Sequence, residues 1–378
     1  MIISEKMFIV LALAVAFLIS FSATPIVIAL AKKIKAVDVP KDARRVHKKP
    51  VPLIGGLAIF YGFIVSVMCF AVIDRATMGI LIGSVIMVTV GVIDDMNVLS
   101  AKVKLLFQIM AAAVAVYFGI EIEYIANPFA AFIGPEYINL GLWSIPLTMV
   151  WIIGITNAVN LIDGLDGLAV GISSIASVAL LSLTLLSRNL NAAILMAALA
   201  GAGIGFLPYN FNPAKIFMGD TGSTFLGFVL ACVSVQGIMK MYAIISFAVP
   251  VLILGLPIFD TLFAIIRRAL TGKPIMSPDR GHLHHRLLDM GFSQRQTVAI
   301  LYTLTSILCL TAVVMSIKDT LRALVLVFAV LGIILVSIWV MPEHKINAGG
   351  GTGAETAKNP EGGKEGESEP GKEGEEGK

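Results

Sequence analysis

Long apolar runs dominate this chain from its first residues to residue 341. Hydrophobic residues make up 57% of the 378 residues and charged residues only 14%, well below the roughly 25% typical of soluble domains. A helix needs about 20 mainly apolar residues to cross a bilayer, and about eleven runs reach that length. Their predicted limits are 7–31, 55–73, 77–93, 103–120, 140–159, 168–187, 190–207, 222–238, 242–266, 296–316 and 321–341. We therefore predict an all-α, polytopic integral membrane protein.

Basic residues in the predicted loops set the orientation of these helices. The loop 32–54 carries eight Lys and Arg against two Asp, so the positive-inside rule places it in the cytoplasm and the N-terminus outside. With eleven spans, the inner loops, counted to Lys104, hold 17 Lys and Arg, whereas the outer side holds six. This basic inner face suits anionic lipid headgroups and phosphate substrates, and we recognise no nucleic-acid-binding module.

A change of composition at residue 343 divides the chain into two predicted domains. Residues 1–342 are predicted to form a multi-spanning transmembrane catalytic domain. Residues 343–378 contain nine Glu, five Lys and ten Gly, cannot bury a core, and are predicted to be a disordered cytoplasmic tail. Cys69, Cys232 and Cys309 fall within apolar runs, and we expect them to pack as small hydrophobic side chains without disulfides.

The segment NAVNLIDGLDGLA, residues 157–169, places a polar side chain at every third position after the fifth apolar run. On a helix or helical turn, Asn157, Asn160, Asp163 and Asp166 would lie close to one face. Such groups cost several kcal/mol in hydrocarbon unless they have partners or reach water. Their oxygen atoms suit Mg²⁺, and the glycine after each aspartate allows a ligand to approach closely. A polar interface between helices is the alternative.

Two further clusters fall on the same predicted inner face. Asp94 and Asp95 end the third run, where neighbouring positions on a helix point about 100° apart, so one could face a substrate while the other meets a lysine. Asp220, in MGDTGS, begins the eighth run, where a helix N-terminus could attract phosphate while the carboxylate binds a metal. A solvated helix end and a plain capping turn are the respective alternatives.

Histidines lie among arginines in the segment DRGHLHHR, residues 279–286. Three histidines could bind zinc, but the flanking Arg280 and Arg286 favour an anion such as diphosphate, and a solvated loop is a third interpretation. His47 follows Arg44 and Arg45 in the first inner loop and could serve similarly, or that loop could be an ordinary basic anchor.

Five motifs, in order between about residues 38 and 295, carry a family resemblance: RRVHKKPVPLIGG, GVIDD, NAVNLIDGLDGLA, YNFNPAKIFMGDTGS and DRGHLHHRL. They resemble the polyprenyl-phosphate N-acetylhexosamine-1-phosphate transferases, glycosyltransferase family 4, and most closely its undecaprenyl-phosphate N-acetylglucosaminyl 1-phosphate transferase branch. The resemblance implies transfer of N-acetylglucosamine 1-phosphate from UDP-N-acetylglucosamine to undecaprenyl phosphate, with release of UMP. The lipid-linked product would start a cell-envelope polymer such as teichoic acid or O-antigen.

The resemblance also implies a cofactor, partners and a location. The cofactor would be Mg²⁺, with Mn²⁺ as a substitute. The partners would be undecaprenyl phosphate, UDP-N-acetylglucosamine and membrane lipids, without nucleic acid, and a homodimer is left open. The enzyme would be a multi-pass protein of the bacterial plasma membrane, with its active site on the cytoplasmic face.

Site residues follow from matching motif positions and from the other polar residues of the predicted inner face. The metal ligand would be Asp220, with Asn160 as a second ligand. The catalytic residues would be Asp94 and Asp95, which match a pair that handles the lipid phosphate, and Asp163 and Asp166. The substrate-binding residues would be His47, Lys102, Lys104, Asn157, Asn210, Arg280, His282, His284 and His285.

Alternative functions follow from the same features. The neighbouring branch, which uses UDP-N-acetylmuramoyl-pentapeptide, usually carries three consecutive histidines followed by Phe-Glu. Here Leu283 interrupts the histidines and Arg286 follows them, which favours the simpler nucleotide sugar. An intramembrane aspartyl protease would need its aspartate pair within the bilayer, and a transporter would place carboxylates near the midplane between paired halves. Both fit the predicted topology less well.

Overall fold

The computed structural model describes residues 2–39, 50–126, 134–135, 137–239, 248–272 and 281–317. Within these ranges the chain is mostly helical, with two short antiparallel strand pairs. The helices are α1 (Ile2–Lys33), α2 (Gly56–Phe70), α3 (Arg75–Met96), α4 (Ala101–Tyr117), α5 (Ser144–Leu161), α6 (Leu168–Leu186), α7 (Leu190–Asn210), α8 (Gly219–Ser234), α9 (Ala248–Ile253), α10 (Gly255–Leu270), α11 (Leu283–Asp289) and α12 (Gln294–Ser316). The strands are β1 (Val37–Asp38), β2 (Val51–Pro52), β3 (Tyr124–Ala126) and β4 (Tyr137–Asn139).

Six helices in the described ranges are long and apolar enough to cross a membrane, and α2 is a shorter apolar helix. The six segments are Glu5–Lys33, Arg75–Met96, Gly141–Leu161, Leu168–Leu186, Leu190–Asn210 and Gln294–Ser316. These helices confirm the predicted all-α, polytopic membrane class. The number of eleven spans and the orientation stay predictions, and the predicted run 321–341 and the tail 343–378 lie outside the described residues.

The predicted ninth run, 242–266, differs from the structure. Its described part consists of two helices, α9 and α10, with Leu254 between them. Pro257 lies in the first turn of α10, where its missing N–H leaves no helical hydrogen bond unmade. The residues on both sides of Leu254 are apolar, so hydropathy alone does not reveal this break.

Helix α8 lies at the centre of the bundle, and every residue from Thr221 to Ser234 is buried. It packs against α2, α3, α5 and α6. Glycines allow the close approach: a Cβ on Gly56 would lie 2.2 Å from the Gly222 nitrogen, and one on Gly91 would lie 2.4 Å from the Thr221 Cα. The first turn of α8 is therefore held between α2 and α3.

The segment before α2 pairs with the residues before α8. The Phe217 N–H donates to the Pro52 carbonyl at 2.9 Å, and the Gly55 N–H donates back to the Phe217 carbonyl at 3.0 Å. The PVPLIGG and FMGD motifs, about 165 residues apart in sequence, are thus neighbours. All three cysteines are free; Cys232 and Cys309 are buried as predicted, whereas Cys69 is exposed.

Candidate active site

Asp95 fastens the start of α8 to the end of α3. Its Oδ1 accepts the Asp220 N–H at 2.8 Å, and its Oδ2 accepts the Thr221 N–H at 3.1 Å and the Thr221 hydroxyl at 2.6 Å. A carboxylate is favourable here because the N-terminal N–H groups of a helix are unpaired and carry partial positive charge. Both Asp95 oxygens are therefore engaged in holding the turn that presents Asp220.

Lys104 joins the neighbouring carboxylates. Its Nζ lies 2.6 Å from Asp94 Oδ2 and 2.7 Å from Asp220 Oδ2, while Asp94 Oδ1 accepts the Leu99 N–H at 2.7 Å. Oxygen atoms from Asp94, Asp95 and Asp220 lie within 4.8 Å of one another, close enough to hold a metal ion. The ammonium group offsets part of the negative charge that this convergence creates.

The donor atoms in this cluster fit a hard divalent cation. Mg²⁺ favours carboxylate oxygens together with water and substrate phosphates, and three carboxylates converge here. Asn160 lies beside the same turn, because its Oδ1 accepts the Ser223 hydroxyl at 2.6 Å.

The polar stripe of residues 157–169 is only partly helical. Helix α5 ends at Leu161, so Asn157 and Asn160 lie on it, whereas Asp163 and Asp166 lie in the following turn. Gly167 closes the turn with a φ of 80°, a conformation that glycine adopts without steric cost. The four side chains therefore do not form one continuous helical face.

Asn210 and Asn212 connect this turn to the chain between α7 and α8. The Asn210 side chain accepts the Gly167 N–H at 3.1 Å and donates to the Ile216 carbonyl at 2.9 Å. The Asn212 amide donates to Asp166 Oδ2 at 3.0 Å. The turn is thus tied to the irregular segment, residues 211–218, that leads into Asp220.

Asp163 lies close to the carboxylates of Asp220, Asp95 and Asp166. Part of the residue is accessible to solvent, but its carboxyl group is enclosed by protein. Burial, followed by repulsion from Asp220, Asp95 and Asp166, raises the pKa of Asp163 to about 8. The raised pKa therefore reflects how near the other three carboxylates lie.

Two predicted substrate-binding residues have other surroundings. Asn157 and Gln108 form a reciprocal amide pair, with N–O distances of 2.7 and 3.2 Å, which joins α5 to α4. Lys102 is exposed at the start of α4, and no hydrogen bond or ion pair links it to another described residue. Their roles in substrate binding stay predictions.

The histidine segment lies against the turn that carries Asp163. His284 is only 3% exposed, and its ring fills the space beside Gly164, where a Cβ would lie 2.3 Å from its Nε2. The rings of His282 and His284 are stacked with centroids 5.9 Å apart, and His285 follows at 4.3 Å from His284. His47 and Arg280 lie outside the described residues.

Gly164→Ala is expected to lower turnover about 100-fold, because displacing the His284 ring by about 1 Å misplaces the groups around it. Gly154→Ala, on α5, is the matched control, since a Cβ there meets no atom within 4 Å. The turnover of both purified variants would be compared in detergent. Equal activities would show that the contact between Gly164 and His284 has no catalytic consequence.

The buried His284 should also make the stability of the protein depend on pH. Burial, and then the charge of His285, lowers the pKa of His284 from 6.5 to about 4. Between these values the unfolded chain binds a proton that the folded protein does not, so stability falls as the pH drops from 6.5 towards 4. Thermal unfolding of wild type and His284→Gln would be followed across this range. The slope should be shallower in the variant, and equal slopes would contradict the assignment to His284.

Sequence reasoning missed one buried carboxylate. Asp260, on α10, lies 2.9 Å from His282 Nδ1 through its Oδ2, and both side chains are almost completely buried. The signal was present, because an aspartate within an apolar run such as LPIFDTLFAII is costly in a membrane and needs a partner. Asn212 was also missed, and only the folded arrangement connects it to Asp166.

Comparisons with known proteins identify the family of this chain. Residues 77–238 match the model of glycosyl transferase family 4. The chain is 42% identical, over 86% of its length and 90% of the relative's, to a probable undecaprenyl-phosphate N-acetylglucosaminyl 1-phosphate transferase of Bacillus subtilis (strain 168). It is 36% identical, over 76% of its length and 77% of the relative's, to a decaprenyl-phosphate N-acetylglucosaminephosphotransferase of Mycobacterium tuberculosis. It is 33% identical, over 81% of its length and 97% of the relative's, to a phospho-N-acetylmuramoyl-pentapeptide-transferase of Caldicellulosiruptor bescii.

These similarities, with the apolar helices, define a bacterial membrane enzyme of the phosphoglycosyl transferase class. The chain belongs to the polyprenyl-phosphate N-acetylhexosamine-1-phosphate transferases of glycosyl transferase family 4. The resemblance inferred from the five motifs is thereby confirmed, and the transporter and protease alternatives are not supported.

Proposed function

We propose that the protein transfers N-acetylglucosamine 1-phosphate from UDP-N-acetylglucosamine to undecaprenyl phosphate and releases UMP. The observation that carries this proposal is the convergence of Asp94, Asp95 and Asp220 around Lys104, next to the turn that holds Asp163. Such a site combines cation-binding oxygens with a positive side chain, the groups that phosphoryl transfer requires.

The choice of donor is supported by the histidine segment. Leu283 separates His282 from His284 and His285, which departs from the three consecutive histidines of the pentapeptide-using branch. Relatives named for N-acetylglucosamine transfer are 35–42% identical to the chain, whereas those named for the muramoyl-pentapeptide are 31–33% identical. Transfer of the muramoyl-pentapeptide phosphate is therefore the second candidate.

The reaction would join an oxygen of the lipid phosphate to the sugar-bearing phosphorus of the donor, as the bond to the UMP oxygen breaks. The acceptor is a phosphate monoester, which is largely ionised at neutral pH, so it needs orientation more than deprotonation. We therefore favour direct transfer over a covalent aspartyl intermediate. Asp94 would position the acceptor phosphate through Lys104, and Asp95 would maintain the turn that carries Asp220.

Mg²⁺ is the proposed cofactor, with Mn²⁺ as a substitute, held by Asp220 and Asn160. When bound, it would neutralise the charge of the donor diphosphate and stabilise the leaving phosphate. Lys104, with Arg280 and Arg286 of the histidine segment, would supply further positive charge. Asp163 and Asp166 would line the donor side of the site.

A site at the cytoplasmic face would allow two different substrates to meet. The acceptor's hydrocarbon tail would remain in the bilayer while its phosphate reaches the cytoplasmic boundary, where UDP-sugar and Mg²⁺ are available. This arrangement requires an external N-terminus and an internal C-terminus, as the basic loops predict. Accessibility labelling of cysteines introduced at the two termini in intact cells would test this orientation.

A donor panel tests the proposed specificity. Purified protein would receive undecaprenyl phosphate, Mg²⁺ and one donor at a time: UDP-N-acetylglucosamine, UDP-N-acetylgalactosamine or UDP-N-acetylmuramoyl-pentapeptide. We expect UMP release with UDP-N-acetylglucosamine at the highest kcat/KM. Preference for the pentapeptide donor would support the second candidate, and no release with any donor would refute the transferase proposal.

A further inference from the structure

Helix α10 holds the histidine segment at three consecutive residues. The Arg267 guanidinium donates to the Gly281 carbonyl at 2.8 Å, and Asp260 Oδ1 accepts the Leu283 N–H at 2.8 Å. Between them, Asp260 Oδ2 lies 2.9 Å from His282 Nδ1. Asp260 and Arg267 are seven residues apart, so they lie on the same face of α10. This face is therefore built to hold the backbone and the first histidine of the segment.

A neighbouring face of α10 is apolar and exposed. Its residues Phe259, Leu262, Phe263, Ile266 and Leu270 are between 48% and 83% exposed. A carboxylate on such a helix is costly unless it is paired. Asp260 meets that requirement through its contacts with His282 and Leu283, and its side chain is only 7% exposed.

The hydrogen bond between Asp260 and His282 can form in only one direction. A carboxylate can only accept hydrogen bonds, so Asp260 keeps a proton on His282 Nδ1. His282 Nε2 is then the ring nitrogen left to meet a substrate. If Nε2 also takes a proton beside an anionic phosphate, the imidazolium lies between two negative groups, and the buried carboxylate stabilises its charge.

We propose that Asp260 is a positioning residue of the transferase: it fixes the tautomer and orientation of His282, so that Nε2 acts on the diphosphate of the donor. This inference rests on the proposed function, because it assigns His282 to the donor phosphates. Asp260 itself touches no substrate in this scheme. Its effect passes through His282, and it should vanish when His282 is removed.

Asp260→Asn gives a sharp test because the amide can imitate only half of the carboxylate. Its oxygen can still accept the Leu283 N–H, but its NH₂ group must donate to His282 Nδ1, which moves the ring proton to Nε2. We expect kcat to fall about 10- to 100-fold, the range found when partners of functional histidines are changed, with KM for the donor altered much less. Asp289→Asn, an exposed change on α11, is the matched control and should retain wild-type kinetics.

Two further readouts separate this role from a structural one. In the His282→Gln background, Asp260→Asn should cause no additional loss of kcat. Nitrogen NMR of ¹⁵N-histidine-labelled protein should show His282 protonated on Nδ1 in the wild type and on Nε2 in Asp260→Asn. Wild-type kinetics in Asp260→Asn, an additive loss in the double variant, or an unchanged tautomer would each overturn the proposal.

A variant that keeps the carboxylate covers the case in which Asp260→Asn does not fold. Asp260→Glu should preserve Nδ1 protonation and retain activity within about tenfold of wild type. Loss of the Nδ1-protonated form in a folded Asp260→Glu protein would contradict the proposal. The NMR comparison needs no turnover, so an absence of UMP release by the wild type would refute the proposed function without deciding the role of Asp260.

Discussion

Asp220→Asn is expected to reduce Mg²⁺-dependent turnover by at least about 1,000-fold, equivalent to about 4 kcal/mol of transition-state stabilisation. The substitution keeps the size of the side chain but removes its negative charge. Asp220 is the carboxylate that meets both Lys104 and the converging Asp94 and Asp95. An amide is a much weaker ligand for Mg²⁺, so binding of the ion should suffer before any change in the fold.

The folded state should tolerate this change. Asp220→Asn loses an ion pair with Lys104 but also removes repulsion among the clustered carboxylates, so the two effects on stability oppose each other. We expect a thermal midpoint within a few degrees of wild type, alongside lost turnover and weaker Mn²⁺ binding by electron paramagnetic resonance. Asp289→Asn serves as the charge-matched control. Near-normal turnover in Asp220→Asn would remove this residue from the metal site.

Gly219→Ala is the second change with a large expected effect. Gly219 has a φ of 72°, and a Cβ there would lie 2.2 Å from Asp95 Oδ2. Alanine would therefore both strain the backbone and push aside the carboxylate that holds the first turn of α8. We expect turnover to fall by at least about 100-fold, because Asp220 is the next residue and its position depends on that turn.

A control variant separates the two causes. Gly119→Ala places alanine at a φ of 91°, but a Cβ there meets no atom within 4 Å. It should show only the backbone penalty, about 1–2 kcal/mol, with normal kcat per folded molecule. Thermal unfolding and kcat would be measured for both variants. If Gly219→Ala behaves like Gly119→Ala, the contact with Asp95 does not position Asp220.

The membrane helices were predictable because hydrocarbon imposes a length and a composition on each of them. The predicted run 168–187 agrees with α6, Leu168–Leu186, to within one residue. The run 242–266 does not agree with one helix, because the residues that flank the break between α9 and α10 at Leu254 are all apolar. Hydropathy identifies the apolar segments of a chain, but it does not show where one apolar helix ends and the next begins.

The sequence predicted which residues belong to the site, but it did not predict the hydrogen-bond and ion-pair partners of each one. Asp94, Asp95, Asp163 and Asp220 stand out in the sequence because carboxylates are rare in such a chain. That Asp95 caps α8 while Asp94 pairs with Lys104 depends on how α3 is rotated against its neighbours. Adjacent positions in sequence thus make different contacts, which only the packed structure distinguishes.

Asp260 is a residue that the sequence alone did not assign to the site. It lies in an apolar run, 22 residues before its partner His282, and belongs to none of the motifs that carry the family resemblance. The cost of burying a carboxylate indicates that it has a partner, but not which one. The structure identifies that partner as His282.

The identity of the released nucleotide tests the central claim most directly. Wild-type protein, UDP-N-acetylglucosamine and undecaprenyl phosphate would be combined with Mg²⁺, and the nucleotide and lipid products would be identified by mass spectrometry. We predict UMP and undecaprenyl-diphosphate N-acetylglucosamine in equal amounts, lost on chelation of the ion and restored by Mg²⁺. Release of UDP, which marks transfer of the sugar without its phosphate, or release of UMP without the lipid acceptor, would contradict the account.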